Sequence, residues 1–296
     1  MNSTFGARAD LPNIPVEDRM VSLDGLRWRY RHAGSGPGLL LVHGLLGHSF
    51  SWRHTVPVLA SQASVYAVDM PGCGLSDPPR GSDGSMRASA QRLLRFLDAM
   101  DLPRCDVLGT SYGGAVAMMT AGLAPEHIRR LLLVAPVNPW SARGKVLAPF
   151  VCSPAVAPLF LRLMPNLGVL HEFYFRRLWG DTRRIRPGTL EGYLEPLLRR
   201  GPLTHALRVL QSWNRDLHEL RSMLPRIAHI PTLLIWGSQD AAVNPASAEE
   251  LKRKFRDCQL LTFEGVGHLP YEEVPEEFHR AVAEFLTRTA GSCNEG

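Results

Sequence analysis

The sequence predicts an α/β protein with a mostly parallel central sheet, helices on both faces and an inserted helical cap. First, short apolar runs bounded by glycine alternate with segments of helical spacing from Leu39 onward. Second, this alternation stops near Val137, and a segment of about ninety residues follows that is rich in apolar residues, aromatic residues and arginine. Third, a strand-like sequence occurs again at Thr232–Trp236. These changes divide the chain into a first core part (1–136), a cap (137–226) and a second core part (227–296).

The chain opens with a predicted hairpin. Two strand-like runs, Met20–Leu23 and Leu26–Arg31, are joined by Asp24-Gly25, a favoured two-residue turn. The next run, Leu39–Val42, has no polar residue and suits a strand buried on both faces. Further strands are predicted at Val65–Val68, Cys105–Leu108 and Leu131–Val134, and helices at Met86–Met100 and Tyr112–Leu123.

After the cap, the α/β pattern resumes. The strand Thr232–Trp236 is followed by a helix at Ala246–Phe255, a strand at Gln259–Phe263 and a closing helix at Pro275–Thr287. Ligands of open parallel sheets bind at the carboxyl edge of the strands. We therefore expect the cap to cover a site at that edge.

The composition excludes several classes. The chain has 296 residues, of which 45% are hydrophobic and 21% charged, unlike a disordered or membrane-bundle protein. Neither a secretory signal nor a membrane-spanning run is predicted, since the longest uncharged run is short and interrupted by prolines. The five cysteines stand singly. Free thiols of this kind indicate a reducing compartment, so a cytoplasmic location is expected.

Positive charge is concentrated in the predicted cap. Between Pro139 and Arg226 there are 14 Lys+Arg and 6 Asp+Glu, a balance of +8, which leaves −3 for the rest of a chain of net charge +5. Such a segment can meet a membrane surface or an acidic substrate, but a solvated face of arginine-rich helices is the simpler interpretation. No nucleic-acid-binding signature is present, so no nucleic-acid partner is expected.

A nucleophile motif lies between a strand and a helix. Gly109-Thr-Ser111-Tyr-Gly113 fits G-x-S-x-G and joins the apolar strand Cys105–Leu108 to a helix-forming run. That setting is what a nucleophile elbow requires. The sharp turn points the Ser111 hydroxyl out of the sheet only if its neighbours leave room, which Gly109 and Gly113 supply. The alternative is a glycine-rich turn with an incidental serine.

A second loop predicts an oxyanion hole. His43-Gly44-Leu45-Leu-Gly47 follows the strand Leu39–Val42. Acyl transfer needs donors aimed at the oxygen that becomes negative, commonly two backbone N–H groups. The N–H groups of Leu45 and Tyr112 are the candidates, and His43 and Gly44 support the loop. An ordinary turn after a strand is the alternative.

Two later loops supply a base and an acid. A serine hydroxyl needs a base to take its proton, and that base needs an anion to hold its tautomer. Asp240 follows the strand ending at Trp236, and His268 follows the strand ending at Phe263, so both fall at the same sheet edge as Ser111. Taken alone, Asp240 fits a helix N-cap and His268 a buried structural histidine.

Five motifs in order make the sequence resemble the α/β-hydrolase superfamily, in its esterase/lipase-like branch of serine hydrolases. The resemblance covers the chain outside the insertion, which corresponds to the family's helical cap. It implies a triad of Ser111, Asp240 and His268, and it makes Asp69 a structural loop residue. The matching motifs are His43-Gly44, the loop Asp69–Ser76, the elbow at Ser111, Trp236–Asp240 and Gly267-His268.

Differences from the motifs of related enzyme families narrow the range of expected reactions. Epoxide hydrolases and haloalkane dehalogenases resemble this layout but carry aspartate at the elbow, where this chain has Ser111. Tyr174 and Tyr193 resemble epoxide-opening tyrosines and are interpreted as pocket or core residues. Meta-cleavage C–C hydrolases usually have Trp after the histidine, where this chain has Leu269.

The expected reaction is hydrolysis of a small-molecule carboxylic ester through an acyl-enzyme, with water as second substrate and no metal or cofactor. An apolar stripe in the cap either packs the cap onto the core or lines an acyl pocket that suits lipid-like esters. It comprises Val146–Met164, Phe173, Tyr174, Phe175 and Trp179. A C–C hydrolase, an acyltransferase and a non-catalytic ligand receptor on the same scaffold stay open as alternatives. Membrane-surface contact through the basic cap is a further expectation.

Overall fold

Eight strands form one sheet in the computed structural model, which describes residues 14–79, 83–141, 150–163, 168–198 and 201–288. Their order across the sheet is β1-β2-β4-β3-β5-β6-β7-β8. β1 pairs antiparallel with β2 and β2 with β4, whereas the pairs from β4 to β8 are parallel. The strands are β1 Glu17–Leu23, β2 Leu26–Ala33, β3 Gly38–Val42, β4 Ser64–Val68, β5 Cys105–Thr110, β6 Ile128–Val134, β7 Thr232–Gly237 and β8 Cys258–Phe263.

Local sequence explains the strands that position the site. Every residue of β3, β5 and β7 is buried, as their largely apolar sequences predict for strands covered on both faces. The predicted hairpin turn is confirmed, because Asp24 and Gly25 both have the positive φ of a type I′ turn, 52° and 74°. The α/β class with a mostly parallel sheet is therefore confirmed.

Helices cover both faces of the sheet. On one face, α2, α3 and much of α7 pack in one apolar cluster, and on the other α1 and α10 pack in a second. The helices are α1 Thr55–Leu59, α2 Met86–Ala99, α3 Tyr112–Leu123, α4 Val156–Leu163, α5 Gly168–Arg176, α6 Thr189–Leu194, α7 Pro202–Ile227, α8 Ser247–Lys252, α9 Pro270–Glu273 and α10 Pro275–Thr287. In the described residues, none is both long and apolar enough to cross a membrane.

The described elements between β6 and β7 are helical. Helix α7 lies between β6 and β7, but its C-terminal part packs in the core. Leu217, Leu220 and Leu224 belong to the core cluster that contains α3. The division into core and cap at residues 137 and 226 stays a prediction. Part of the apolar stripe predicted at Val146–Met164 lies outside the described residues.

Candidate active site

Ser111 occupies the sharp turn between β5 and α3. Its backbone has φ 54° and ψ −122°, a region that residues with a side chain rarely adopt. Hydrogen bonds hold this conformation: the Ser111 N–H donates to Val134 O at 2.8 Å, and its carbonyl accepts from Gly114 and Val137 N–H at 3.1 and 3.0 Å. The turn is therefore fixed by β6 and the residues that follow it.

The glycines of the elbow are required by close packing. A Cβ on Gly113 would lie 2.2 Å from the carbonyl oxygen of His43, in the loop after β3. A Cβ on Gly109 would lie 2.7 Å from the carbonyl oxygen of Gly113, and one on Gly114 2.7 Å from Pro136. No side chain fits in these spaces, so glycine lets α3 start directly against two neighbouring strand ends.

Asp240 and His268 form a buried pair. The Nδ1–H of His268 donates to Oδ2 of Asp240 at 2.7 Å, and their side chains are 5% and 0% exposed. The other carboxylate oxygen, Oδ1, accepts from the N–H groups of Ala242 and Val243 at 2.7 and 2.9 Å. Because the carboxylate is held at both oxygens, the imidazole is fixed with Nε2 as its remaining nitrogen.

The loops that carry this pair are joined through their backbones. The Gln239 N–H donates to Val266 O at 2.8 Å, and the Ser238 N–H donates to Phe263 O at 3.0 Å. A Cβ on Gly237 would lie 2.1 Å from the carbonyl oxygen of Gly267. The ends of β7 and β8 thus bring together two residues that are 28 positions apart in sequence.

His43 holds the loop after β3. Its Nδ1–H donates to Gly44 O at 2.8 Å, and its Nε2 accepts from the Met70 N–H at 3.0 Å. Burial lowers the pKa of His43 to about 4, so the ring is neutral at physiological pH, as both contacts require. Both ring nitrogens of His43 are thus used in holding the loop.

Gly44 brings that loop against the nucleophile. A Cβ on Gly44 would lie 3.1 Å from Cβ of Ser111. The next two residues turn the chain, with Leu46 at φ 61°. In the described part of the chain, the backbone N–H groups of Leu45 and Tyr112 donate no hydrogen bond. Two unpaired donors beside a serine fit the arrangement of an oxyanion hole.

Asp69 has the structural environment that the resemblance implies. Its buried carboxylate accepts from Ser49 N–H at 2.7 Å and Leu75 N–H at 2.9 Å, and the Arg29 guanidinium lies 3.5 Å away. Burial alone would raise the pKa of Asp69, but these hydrogen bonds and the arginine charge outweigh it and lower the pKa. Asp69 thus braces the loops after β3 and β4.

A cavity of about 200 Å³ lies at the carboxyl edge of the sheet. Ser111 and His268 both line it, with Gly44 and Leu45 on the adjoining wall. One group of lining side chains is apolar: Phe175, Leu178, Ala242 and Leu269. A second group carries hydroxyls: Ser51, Thr110, Tyr193 and Tyr271. The predicted nucleophile and base thus share one cavity.

Sequence reasoning missed two buried glutamates that follow His268. The carboxylate of Glu273 accepts from the N–H groups of Gly267 at 2.6 Å, Gly180 at 3.0 Å and Asp181 at 3.2 Å. The N–H of His268 in turn donates to Leu178 O at 2.6 Å. The histidine loop is therefore tied to segment 178–181. In the sequence these acids fit the first turn of a helix, and no local signal shows that they are buried.

Glu272 links another predicted cap element, helix α6, to the core. Its carboxylate accepts from the Arg53 guanidinium at 2.5 and 2.9 Å and from the Tyr193 hydroxyl at 2.7 Å. His48 Nε2–H donates to Gly192 O at 3.0 Å, and a Cβ on Gly192 would lie 2.1 Å from the Phe50 ring. Helix α6 thus contacts the core closely, and Tyr193 reaches the cavity wall.

The aromatic residues of the predicted cap divide into two groups. Phe175 lines the cavity and Trp179 is buried beside it. Phe173 and Tyr174 are 56% and 59% exposed. The interpretation of Tyr174 as a pocket or core residue is wrong, because the turn of α5 that directs Phe175 inward directs its neighbours outward.

The described residues include no group of three His, Cys, Asp or Glu side chains that could hold a metal ion. Four cysteines in this part of the chain are free thiols: Cys73, Cys105, Cys152 and Cys258. Cys293 lies outside the described residues.

The sheet order, the elbow and the covered cavity define a hydrolase-type α/β protein. A family model described as the alpha/beta hydrolase fold matches residues 37–275, so the chain belongs to that family. Helical elements lie above the site, as the resemblance implies. The family contains enzymes of several activities, including esterases and lipases.

The names of its relatives describe different reactions. The chain is 30% identical to the dihydrolipoyllysine-residue acetyltransferase component of the acetoin cleaving system of Pseudomonas putida, covering 89% of this chain and 67% of that protein. It is 27% identical to 2-hydroxy-6-oxo-2,4-heptadienoate hydrolase of Pseudomonas putida, covering 93% and 99%. The structure of a thermophilic esterase from Thermogutta terrifontis superposes with a TM-score of 0.77 at 25% identity, covering 91% of this chain and 98% of that chain.

Proposed function

We propose that this protein hydrolyses carboxylic esters through an acyl-enzyme on Ser111. His268 Nε2 takes the Ser111 proton as the oxygen attacks the ester carbonyl, and Asp240 stabilises the imidazolium. The N–H groups of Leu45 and Tyr112 bind the oxyanion of the tetrahedral intermediate. His268 then gives the proton to the leaving alcohol, and water, activated by the same imidazole, releases the acid. The proposed steps use only these groups and water.

One observation carries this proposal. A serine in a strained turn lines the same cavity as an imidazole whose Nδ1 is held by a buried carboxylate at 2.7 Å. A purely structural histidine has no need of both a fixed tautomer and a place on a cavity wall beside a serine. The arrangement favours a catalytic role over a receptor that only binds its ligand.

The nucleophile is tested by covalent labelling and turnover. Ser111→Ala should abolish both reaction with a fluorophosphonate probe and hydrolysis of p-nitrophenyl butyrate, because the oxygen that attacks is removed. Ser61→Ala is the matched control, since this hydroxyl is exposed and bonds only the Val58 carbonyl. Labelling that persists in Ser111→Ala would place the nucleophile elsewhere.

The acyl group is proposed to be apolar. Phe175, Leu178, Ala242 and Leu269 offer no charge to a substrate, and burial of each methylene against such side chains contributes about 0.8 kcal/mol. A panel of p-nitrophenyl esters should show kcat/KM rising with acyl length until the pocket is filled. Equal kcat/KM for acetate and longer esters would exclude an apolar acyl pocket.

A curated relative favours the C–C hydrolase alternative, and the lining of the cavity argues against it. The 2-hydroxy-6-oxo-2,4-heptadienoate hydrolase acts, by its name, on a carboxylate. The cavity-lining residues described here include no lysine or arginine, and the nearby Arg53 guanidinium is paired with Glu272 at 2.5 Å. A vinylogous diketone substrate and an alcohol acceptor, run beside the ester panel, separate hydrolysis of esters from C–C cleavage and acyl transfer.

We also propose a cytoplasmic location. It is supported by the four free thiols in the described residues, because a reducing compartment keeps cysteines unpaired. Cell fractionation with antibody detection tests it directly. Recovery of the protein from a secreted or periplasmic fraction would contradict it.

A further inference from the structure

Two helices between β6 and β7 carry exposed apolar surface. In the described part of the chain, eight large apolar side chains are exposed. Four of them lie on α4 and α5, namely Leu159, Leu163, Phe173 and Tyr174, and a fifth, Phe150, precedes α4. Helix α4 is apolar apart from Arg162, yet none of its residues is buried. A helix whose apolar side chains are exposed or only partly buried is typical of a surface that meets an apolar phase.

Exposed arginines lie on or next to both helices, and one of them, Arg176, is paired with Glu172 at 2.7 Å. Arg162, Arg176 and Arg177 are exposed on or next to the same two helices, and the Arg177 guanidinium lies 5.9 Å from the centroid of the Phe173 ring. The segment from Pro139 to Arg226 has 14 Lys+Arg against 6 Asp+Glu. Aromatic rings beside arginines fit the boundary between acyl chains and anionic headgroups.

Helix α5 connects this surface to the catalytic cavity. Phe173 and Tyr174 are exposed, whereas Phe175, the next residue, and Leu178, two residues after the end of α5, line the cavity that contains Ser111. The outer face of α5 and the cavity wall are therefore formed by neighbouring residues of one short segment.

We propose that the outer faces of α4 and α5, with their flanking arginines, dock on an anionic lipid bilayer, from which the enzyme takes apolar esters. The uptake of esters in this inference rests on the proposed function, whereas the docking does not. A second copy of the chain is a poorer occupant, because a symmetric dimer through this face would bring two arginine-rich surfaces together.

Vesicle binding of the Ser111→Ala protein tests the docking without hydrolysis. Ser111→Ala protein should co-sediment with phosphatidylcholine vesicles that contain phosphatidylglycerol, and less with phosphatidylcholine alone. On that background, Phe173→Ser/Tyr174→Ser should lower the partition coefficient about tenfold or more, because two apolar side chains no longer insert. Met20→Ser is the matched control, since Met20 is 51% exposed on the edge strand β1.

A charge exchange tests the electrostatic part. Arg177→Glu should weaken binding to anionic vesicles about fivefold or more, the effect of one arginine near such a surface. Arg104→Glu is the control, because Arg104 is exposed at the opposite end of β5 from Ser111 and should leave binding unchanged.

Three results would overturn the proposal: no binding of the Ser111→Ala protein to anionic vesicles, equal binding to neutral vesicles, or equal losses in the test and control variants. A dimer by light scattering that Phe173→Ser/Tyr174→Ser dissociates would assign the face to a second copy instead. With Ser111 intact, Phe173→Ser/Tyr174→Ser should hydrolyse the soluble p-nitrophenyl butyrate at the normal rate. Vesicle binding without any ester turnover would contradict the proposed function but would still support the docking.

Discussion

The Asp240 carboxylate divides its two oxygens between backbone and imidazole. Oδ1 accepts two backbone N–H groups, and Oδ2 accepts from His268. This geometry makes the aspartate an orienting group whose rotation is blocked. A single-atom change at Oδ2 should therefore alter the histidine tautomer without disturbing the loop.

We predict that Asp240→Asn folds normally and loses about a thousandfold or more in kcat/KM on p-nitrophenyl butyrate. The amide NH₂ that replaces Oδ2 donates to Nδ1, which places the imidazole proton on Nε2, where it cannot accept from Ser111. The control is Asp98→Asn at an exposed position of α2. A near-wild-type rate for Asp240→Asn would move the acid to another residue.

Glu273 acts on His268 through the backbone. Its carboxylate holds the Gly267 N–H at 2.6 Å, one residue before the imidazole, and also holds the N–H of Gly180 at 3.0 Å. We predict that Glu273→Gln lowers kcat about tenfold or more with a smaller change in KM, because the amide can accept at one atom only. Glu277→Gln, exposed on α10, is the control. Unchanged kcat with lowered thermal stability would make Glu273 a purely structural residue.

The position of helix α6 depends on the absence of a side chain at Gly192. Gly192 lies against the Phe50 ring, and the same ring is covered by the Arg53 guanidinium at 4.0 Å from its centroid. Tyr193, the next residue, donates to Glu272. Propensity alone does not stabilise a helix of six residues, so these contacts keep it above the cavity.

We predict that Gly192→Ala destabilises the protein by about 1–3 kcal/mol and raises KM for long esters, because the added methyl displaces α6 or the Phe50 ring. Gly168→Ala is a matched control, since a Cβ at Gly168 meets nothing within 4 Å. Chemical unfolding and the ester panel measure both effects. Equal behaviour of the two variants would show that α6 docking does not shape the cavity.

At the scale of the element, local pattern identified the eight strands and the helices α2, α3 and α10, but not the short helices. The apolar runs predicted as strands all lie within observed strands, because such runs are bounded by glycine or charge. The predicted helix Ala246–Phe255 is shorter, Ser247–Lys252, and the short helices α1 and α9 were missed. Helices of four to six residues have too few turns for a periodic signal.

Three buried histidines affect the stability of the whole molecule. Burial lowers the pKa of His43, His205 and His279 to about 4 each. Each ring is neutral in the folded protein at a pH where the unfolded chain, with a pKa near 6.5, binds a proton. Because the folded pKa lies below the unfolded one, the contribution of these neutral rings to the free energy of unfolding is fully present above about pH 6.5. That contribution is lost as the pH drops toward 4.

We predict that the free energy of unfolding falls by roughly 2 kcal/mol per histidine between pH 7 and pH 5. His279→Gln should make this loss smaller, because it removes one titrating ring while its amide can still reach the Thr55 hydroxyl that His279 contacts at 3.1 Å. Urea unfolding at both pH values measures the slope. An unfolding free energy that is equal at pH 7 and pH 5 would contradict the prediction.

The sequence by itself determined the α/β class, the family and the residues worth testing at the site, because strands, the elbow and the loop motifs depend on neighbours a few positions away. Tertiary structure decided the sheet order, the burial of Glu272 and Glu273 and the outward direction of Tyr174. The physical reason is that a helical pattern or a carboxylate has no fixed side in sequence. Which face is buried, and which N–H groups meet an acid, depends on elements that are distant along the chain and adjacent only after folding.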